Sequence, residues 1–304
     1  MSVRDVVVLG CASQVPTRGR NHNGYLVRWD GVGLLFDPGE GTQRQMTMYG
    51  VSTACIEHIC ITHFHGDHCL GLPGVVQRLS LDEHGRETPC HFHASGQPYY
   101  ERLRHASIFK DRSGVTAAPF STPGPIATWG STCLSTAPLD HTVTTWGFRL
   151  EESDHWRIDA TLAKERGLSG PILGELKREG SVSSATGVVR IEDVAHRIKG
   201  QSIAFVMDTR PCEGALSLAQ DVDLLICEST YLNTHQTEAH ERGHMTATDA
   251  AQLARKAGAH HLLLSHFSQR HPRVEAFAEE ARPHFPHVTC AHDGLHLDIR
   301  ALRP

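Results

Sequence analysis

Thr62-His63-Phe64-His65-Gly66-Asp67-His68-Cys69-Leu70-Gly71 follows the apolar run Ile59-Cys60-Ile61, which reads as a buried strand. Four side chains in this stretch can bind a metal: His63, His65, Asp67 and His68. Gly66 is expected to give the sharp backbone path that lets them converge. The pattern His-x-His-x-Asp-His is too crowded for one catalytic zinc, which takes three protein ligands and a water. One His pair and one Asp-His pair suit two metals side by side, each completed from elsewhere in the chain. The plainer alternative is a histidine-rich surface loop in a chain with 23 histidines. The preceding strand and the flanking glycines argue for the metal loop.

At 304 residues the chain can bury a full core, as one large α/β domain or two smaller ones. A formal charge of -5 gives no global attraction to nucleic acid, so an RNA partner would have to meet a local basic patch. Nine scattered cysteines with no Cys-x-x-Cys argue against a disulfide framework and for a reducing, cytoplasmic setting. Val6-Val7-Val8-Leu9 is too short for a signal segment, and no stretch approaches membrane-spanning length.

The rest of the chain alternates strands and helices. Val3 to Leu9 reads as a strand. The loop after it carries Arg18 and Arg20, two cations that can hold a phosphate or merely line a solvated loop. Tyr25–Trp29 and Leu34–Asp37 read as a hairpin turning at Asp30-Gly31. Asp37-Pro38-Gly39-Glu40-Gly41-Thr42-Gln43 opens a helix running to Gly50, and Asp37 is expected to orient the metal loop rather than bind metal. A helix over 70–81, a strand over 90–94 and a basic helix over 98–112 follow, with 117–125 as a loop. Cys133 to Leu139 reads as a strand that delivers His141, a natural third ligand for the His63/His65 metal.

Residues 151–200 turn polar and read as an insertion with two short helices around Gly170-Pro171. Between Arg157 and Gly180 there are five basic and four acidic residues, Lys177 and Arg178 among them, so its positive character is weak. Beyond it the chain reads β-α-β. Asp208, Glu228 and His266 all stand at the carboxyl ends of apolar runs, and Asp208 is placed to bridge two metals.

Together these motifs resemble the metallo-β-lactamase fold and, within it, the ribonuclease Z family of tRNA 3'-processing endonucleases. Asp37-Pro-Gly-Glu-Gly-Thr-Gln43, the metal loop, the Gly-Pro arm, Asp208-Thr-Arg-Pro and the stretch from His244 to Ser265-His266-Phe267-Ser268 occur in that family's order. The resemblance implies a four-layer αβ/βα sandwich, one domain over residues 1–304 with a projecting arm at about 151–200. It implies two zinc ions per subunit, one held by His63, His65 and His141, the other by Asp67, His68 and His266, with Asp208 bridging. It aligns the family's His-Glu-Ala-Thr and His-Ser-Thr motifs with Cys227-Glu228-Ser229-Thr230 and His244-Met245-Thr246. Cys227, Met245, Val206-Met207 and Cys11 depart from the pattern, and none removes an expected ligand.

The implied activity is removal of the 3' trailer from precursor tRNA by a cytoplasmic homodimer, leaving a 3'-hydroxyl on the tRNA and a 5'-phosphate on the trailer. Two metals about 3.5 to 4 Å apart would activate water and neutralise the attacked phosphate. Asp67 would orient the water, and His244, charged by Glu228, would protonate the leaving ribose oxygen. Arg18, Arg20, Gly170, Pro171, Lys177 and Arg178 are the expected RNA contacts. Three competing readings remain: a small-molecule phosphodiesterase of the same fold, a glyoxalase-type thioesterase, and a metal- or RNA-binding protein without catalysis. The first two leave the arm without a purpose. A di-iron redox centre of this fold usually resembles His-x-Glu-x-Asp-His, and here His65 stands at the Glu position.

Overall fold

The computed structural model of the chain describes residues 3–184 and 187–303. Among these residues lie two seven-stranded sheets. The first runs, edge to edge, through His296–Asp298, Arg4–Gly10, Gly24–Trp29, Val32–Phe36, Ile56–Cys60, Thr88–His93 and Val115–Phe120. The second runs through Val288–Cys290, His261–Ser265, Leu224–Glu228, Ser202–Val206, Thr145–Glu152, Thr132–Leu139 and Gly124–Trp129.

Four strands of the second sheet, from Ser202–Val206 to Val288–Cys290, are parallel. Parallel neighbours need a crossover, and Glu213–Ala219, Ala247–Ala257 and Glu275–Ala281 supply the helices. These strands read as unbroken apolar runs because both of their faces are covered. Thr246 and Asp249 form a reciprocal cap at the start of Ala247–Ala257, and Gly258 ends it in the left-handed conformation.

The sheets face each other across one apolar core that includes Tyr25, Phe36, Phe148 and Phe205. The rings of Phe36 and Phe205 lie 4.9 Å apart. A second cluster, with Ile59, Leu72, Val76 and Phe92, fills the space under the helices Leu72–Leu81 and Gln97–Arg104. Helices therefore cover both outer faces, giving the α/β sandwich that the sequence implies. No helix among the described residues is long and apolar enough to cross a membrane.

Three local expectations need correction. Residues 117–125 are mostly strand: 117–120 lie in Val115–Phe120 and 124–125 in Gly124–Trp129, the edge strands of the two sheets, and only 121–123 form the bend between them. The basic helix stops at Arg104, so Lys110 and Arg112 lie outside it. The insertion is more than two helices. His155–Ile158 pairs with Ala195–Ile198, and Ser181–Ser184 with Gly187–Arg190. Together with Ala160–Glu165 and Pro171–Glu179 they enclose a separate apolar cluster around Leu168, Leu176, Val189 and Val194.

Candidate metal centre

The strand Ile56–Cys60 delivers the metal loop to the carboxyl end of the first sheet. His65 is extended, and Gly66–Cys69 forms a single helical turn that swings Asp67 and His68 back toward His63. Gly66 serves this sharp path without a positive φ. What it supplies is room, because a Cβ there would meet Leu70 Cδ1 at 2.9 Å. The loop rests on the 37–41 segment at Gly71, where a Cβ would sit 1.9 Å from the Gly39 carbonyl oxygen.

The second sheet contributes from its own strand ends. His141, Asp208 and His266 follow Thr132–Leu139, Ser202–Val206 and His261–Ser265 respectively. Ligand atoms of His63, His65, His141 and Asp208 converge within 4.8 Å of one another, as do those of Asp67, His68 and His266. Asp208 links the groups, with Oδ2 3.8 Å from His63 Nε2 on one side and 3.3 Å from His68 Nε2 on the other. All seven residues expected as ligands thus meet in one place.

Backbone and hydroxyl partners fix which nitrogen each imidazole presents. His68 Nδ1 donates to Asp37 at 2.7 Å, and His141 Nδ1 donates to the Gly243 carbonyl at 2.8 Å. Thr62 gives its hydroxyl proton to Asp37 at 2.8 Å, so its oxygen is left to accept from His63 Nδ1 at 3.0 Å. Thr230 repeats the device, donating to Glu228 at 2.6 Å and accepting from His266 Nδ1 at 2.9 Å. Four imidazoles therefore aim Nε2 inward. His65 instead turns Nδ1 in, 3.0 Å from His63 Nε2 and 3.3 Å from His141 Nε2.

The electrostatics fit a cation. Burial holds His63, His65 and His141 below the usual imidazole range, so they are neutral and have free lone pairs. Burial also opposes charge on His68, but Asp208, Asp67 and Asp37 outweigh it and hold its pKa well above the ordinary value. Against the cost of burial, neighbouring histidines, chiefly His68 for Asp67 and His266 for Asp208, keep both carboxyls ionised. Asp208 Oδ1 is buried and has no hydrogen-bond partner among the described residues. A buried carboxylate oxygen in that state carries a desolvation cost that a bound cation removes. The N/O donor set suits divalent metal. Asp37 and His266 both hold positive φ, 42° and 60°, a strain of about 1–3 kcal/mol each that the surrounding contacts must sustain.

The remaining expected residues fall into separate places. His244 Nδ1 lies 3.0 Å from Glu228 Oε1 and 3.9 Å from Asp208, at the rim of the cluster. Burial lowers its pKa, but Glu228 and Asp208 more than reverse that and raise it to about 9. Glu228 is fully buried and also accepts from the backbone N–H groups of Thr209 and Met245. Arg18 is exposed, whereas Arg20 is buried and donates to the Ser268 and His271 carbonyls. Gly170 and Pro171 begin an arm helix, and Lys177 and Arg178 lie exposed in its last turn. Cys227 and Met245 point into the core, and Cys11 contacts Asp293, so these departures leave the ligand set intact.

Sequence reasoning named Thr230 only within a motif and did not see Thr62 or Gly243 as partners of the ligands. The available signal was position: Thr62 and Thr230 both stand just beyond a strand end.

Residues 33–267 match the beta-lactamase superfamily domain. Ribonuclease Z of Streptomyces coelicolor (strain ATCC BAA-471 / A3(2) / M145) is 50% identical over 282 residues, covering 93% of this chain and 92% of that protein. Ribonuclease Z of Chlamydia muridarum (strain MoPn / Nigg) is 43% identical over 293 residues, 96% of each. The crystal structure of the short form of human tRNase Z superposes with a TM-score of 0.70 at 22% identity, over 97% of this chain and 99% of that one. A diphosphatase of the PhnP family reaches 0.64 at 18% identity, over 96% of both chains. Architecture alone therefore does not choose the substrate.

Proposed function

The chain belongs to the ribonuclease Z family within the β-lactamase superfamily, and from that premise we propose that it cleaves the 3' trailer from precursor tRNA. The products are a tRNA with a 3'-hydroxyl and a trailer with a 5'-phosphate. The observation that carries this reading is the meeting of seven ligand-type side chains around Asp208, with the His244–Glu228 pair at their rim. We read the chain as one hydrolase domain carrying an inserted arm.

His63, His65 and His141 would hold one zinc ion, Asp67, His68 and His266 the other, with Asp208 shared. A cation pair supplies Lewis acidity, making water a nucleophile at neutral pH and offsetting charge on the phosphate. Asp67 is suited to orient the attacking water and accept its proton. His244 acts at the other end of the displacement. Glu228 occupies its Nδ1, so the proton available to substrate is on Nε2. That proton goes to the departing ribose 3'-oxygen, a poor leaving group without it.

RNA docking falls to groups outside the metal centre. Arg18 is exposed and is suited to a phosphate. Gly170, Pro171, Lys177 and Arg178 would let the arm grip the tRNA by shape and phosphate contact. Arg20 is buried and braces the 268–271 loop, so its part in RNA docking is to hold the loop that carries Arg18 rather than to meet a phosphate itself. A cytoplasmic homodimer, in which each arm holds tRNA for the other subunit, rests on the family resemblance.

The test is incubation of zinc-loaded protein with a precursor tRNA, followed by mapping of the cut and its end groups. Cleavage at the trailer junction with the stated ends is expected. Hydrolysis of small phosphodiesters with the precursor left intact would assign the protein to small-molecule chemistry.

A further inference from the structure

A cavity of about 920 Å³ opens beside the metal loop, walled by His63, His65 and His141 on one side and by Phe64, His93 and Tyr99 on another. Neither His244 nor Glu228 lines it. Phe64 and Tyr99 stack with ring centroids 5.7 Å apart and planes 25° apart. Phe64 fits only because residue 96 is glycine: a Cβ there would lie 2.1 Å from the Phe64 ring. Tyr99 is half exposed, and the Arg102 guanidinium lies 5.4 Å from its ring centroid. This is costly apolar surface to leave open beside a charged cluster.

His93 gives the cavity a polar edge. Its ring stacks on Trp146 at 5.1 Å. Its Nδ1 accepts the Ser95 backbone N–H at 3.3 Å, which in the neutral ring puts the proton on Nε2. The wall therefore combines aromatic faces and a hydrogen-bond donor, with the Arg102 guanidinium against the Tyr99 ring rather than in the wall itself. That is the chemistry of a nucleobase site, in which stacking gives affinity and a donor meets a carbonyl or ring nitrogen.

We propose that this cavity takes the base of the first trailer nucleotide, stacked on Tyr99 and Phe64. The assignment rests on the endonuclease reading above. His244 serves the departing 3'-oxygen, so the tRNA side of the scissile bond lies toward His244. The strand that keeps the phosphate continues on a side that His244 does not wall. The aromatic cavity meets that condition. Because stacking tolerates any base, the site orders the trailer without demanding a sequence.

The test pairs Tyr99→Ala with precursors that are either intact or abasic at the first trailer nucleotide, all with metal-loaded full-length protein. Tyr99 lies on the exposed face of Gln97–Arg104, so folding and metal content should match the wild type. With the intact precursor, Tyr99→Ala should lose about tenfold in kcat/KM, and Tyr99→Trp should retain it. The abasic substitution should cost the wild type a similar factor and cost Tyr99→Ala almost nothing. If the variant and the abasic losses simply multiply, Tyr99 does not touch that base and the proposal is overturned. It is equally overturned if the coupling appears only when the last tRNA nucleotide is made abasic. Wild-type protein that cleaves no precursor at all removes the endonuclease reading itself, a result separable from either of these.

Discussion

Thr230 accepts a hydrogen bond from Nδ1 of the ligand His266 at 2.9 Å. Its own proton goes to Glu228 at 2.6 Å, and Glu228 in turn holds His244 at 3.0 Å. One hydroxyl thus ties a metal ligand to the proposed proton donor. Thr230→Val keeps the shape but leaves His266 Nδ1 without its acceptor and removes one of the donors to Glu228 Oε2, which keeps the Met245 N–H. Metal affinity or turnover should fall about 10- to 100-fold, and Thr230→Ser should recover most of it. Chelator competition together with single-turnover kinetics measures both.

His244→Ala should slow precursor cleavage by about 10² to 10⁴ while zinc content stays at the wild-type level. Elemental analysis of the purified variant checks the second half. Loss of metal would make His244 a ligand and leave the leaving group without its donor.

The pH profile follows from the His244–Glu228 contact. Burial pulls the His244 pKa down, and the charges of Glu228 and Asp208 push it up to about 9. A general acid works only while protonated, so kcat/KM should decline on the alkaline side of its pKa. Glu228→Gln removes a raising charge and should move that decline to lower pH, with the acid limb in place. Cations bound at Asp208 offset that residue's share, so the Glu228 variant reads the remainder. An unmoved alkaline limb would detach Glu228 from the proton donor.

Metal uptake should release protons. In the metal-free protein His68 is held protonated by Asp208, Asp67 and Asp37 against the pull of burial, whereas His63, His65 and His141 are already neutral. A ligand must shed its proton first, so zinc affinity should weaken as pH falls. Titration calorimetry in buffers of different ionisation enthalpy should show net proton release near neutral pH. Asp37→Asn removes one of the charges retaining that proton and should reduce the release.

The arm can be removed cleanly because its two ends meet. A Cβ on Gly200 would lie 1.9 Å from the Glu152 carbonyl oxygen, and Glu152 N–H donates to Gln201 at 2.9 Å. Cutting within the arm, for instance at Gly180, would instead open its own apolar cluster and leave half-strands unpaired. Replacing residues 154–199 with a short Gly-Ser turn should preserve zinc content and hydrolysis of a small phosphodiester but abolish cleavage of precursor tRNA. Equal loss of both activities would place the arm in the active site.

The metal loop was legible because its chemistry is local: four ligand-type residues, three His and one Asp, lie within six consecutive positions after an apolar run. His141 and Asp208 were legible as candidate ligands at strand ends, and His266 only as a polar residue at one. Their convergence is a property of two sheets packed face to face, and the family resemblance supplied it. The edge strands were missed because Pro119 and Pro125 look like loop residues. Proline is tolerated there since an edge strand has one unpaired side. The arm's four-residue strands are too short to set up an alternation. The roles of Thr62 and Thr230 depend on which neighbour takes each hydroxyl proton, and no spacing along the chain encodes that.

The most direct measurement is anomalous diffraction at the zinc edge from crystals grown with zinc. Two peaks are expected, one among His63, His65 and His141, the other among Asp67, His68 and His266, with Asp208 reaching both. A single peak, or His141, Asp208 and His266 turned away from the metal loop, would contradict the paired centre on which the proposed chemistry depends.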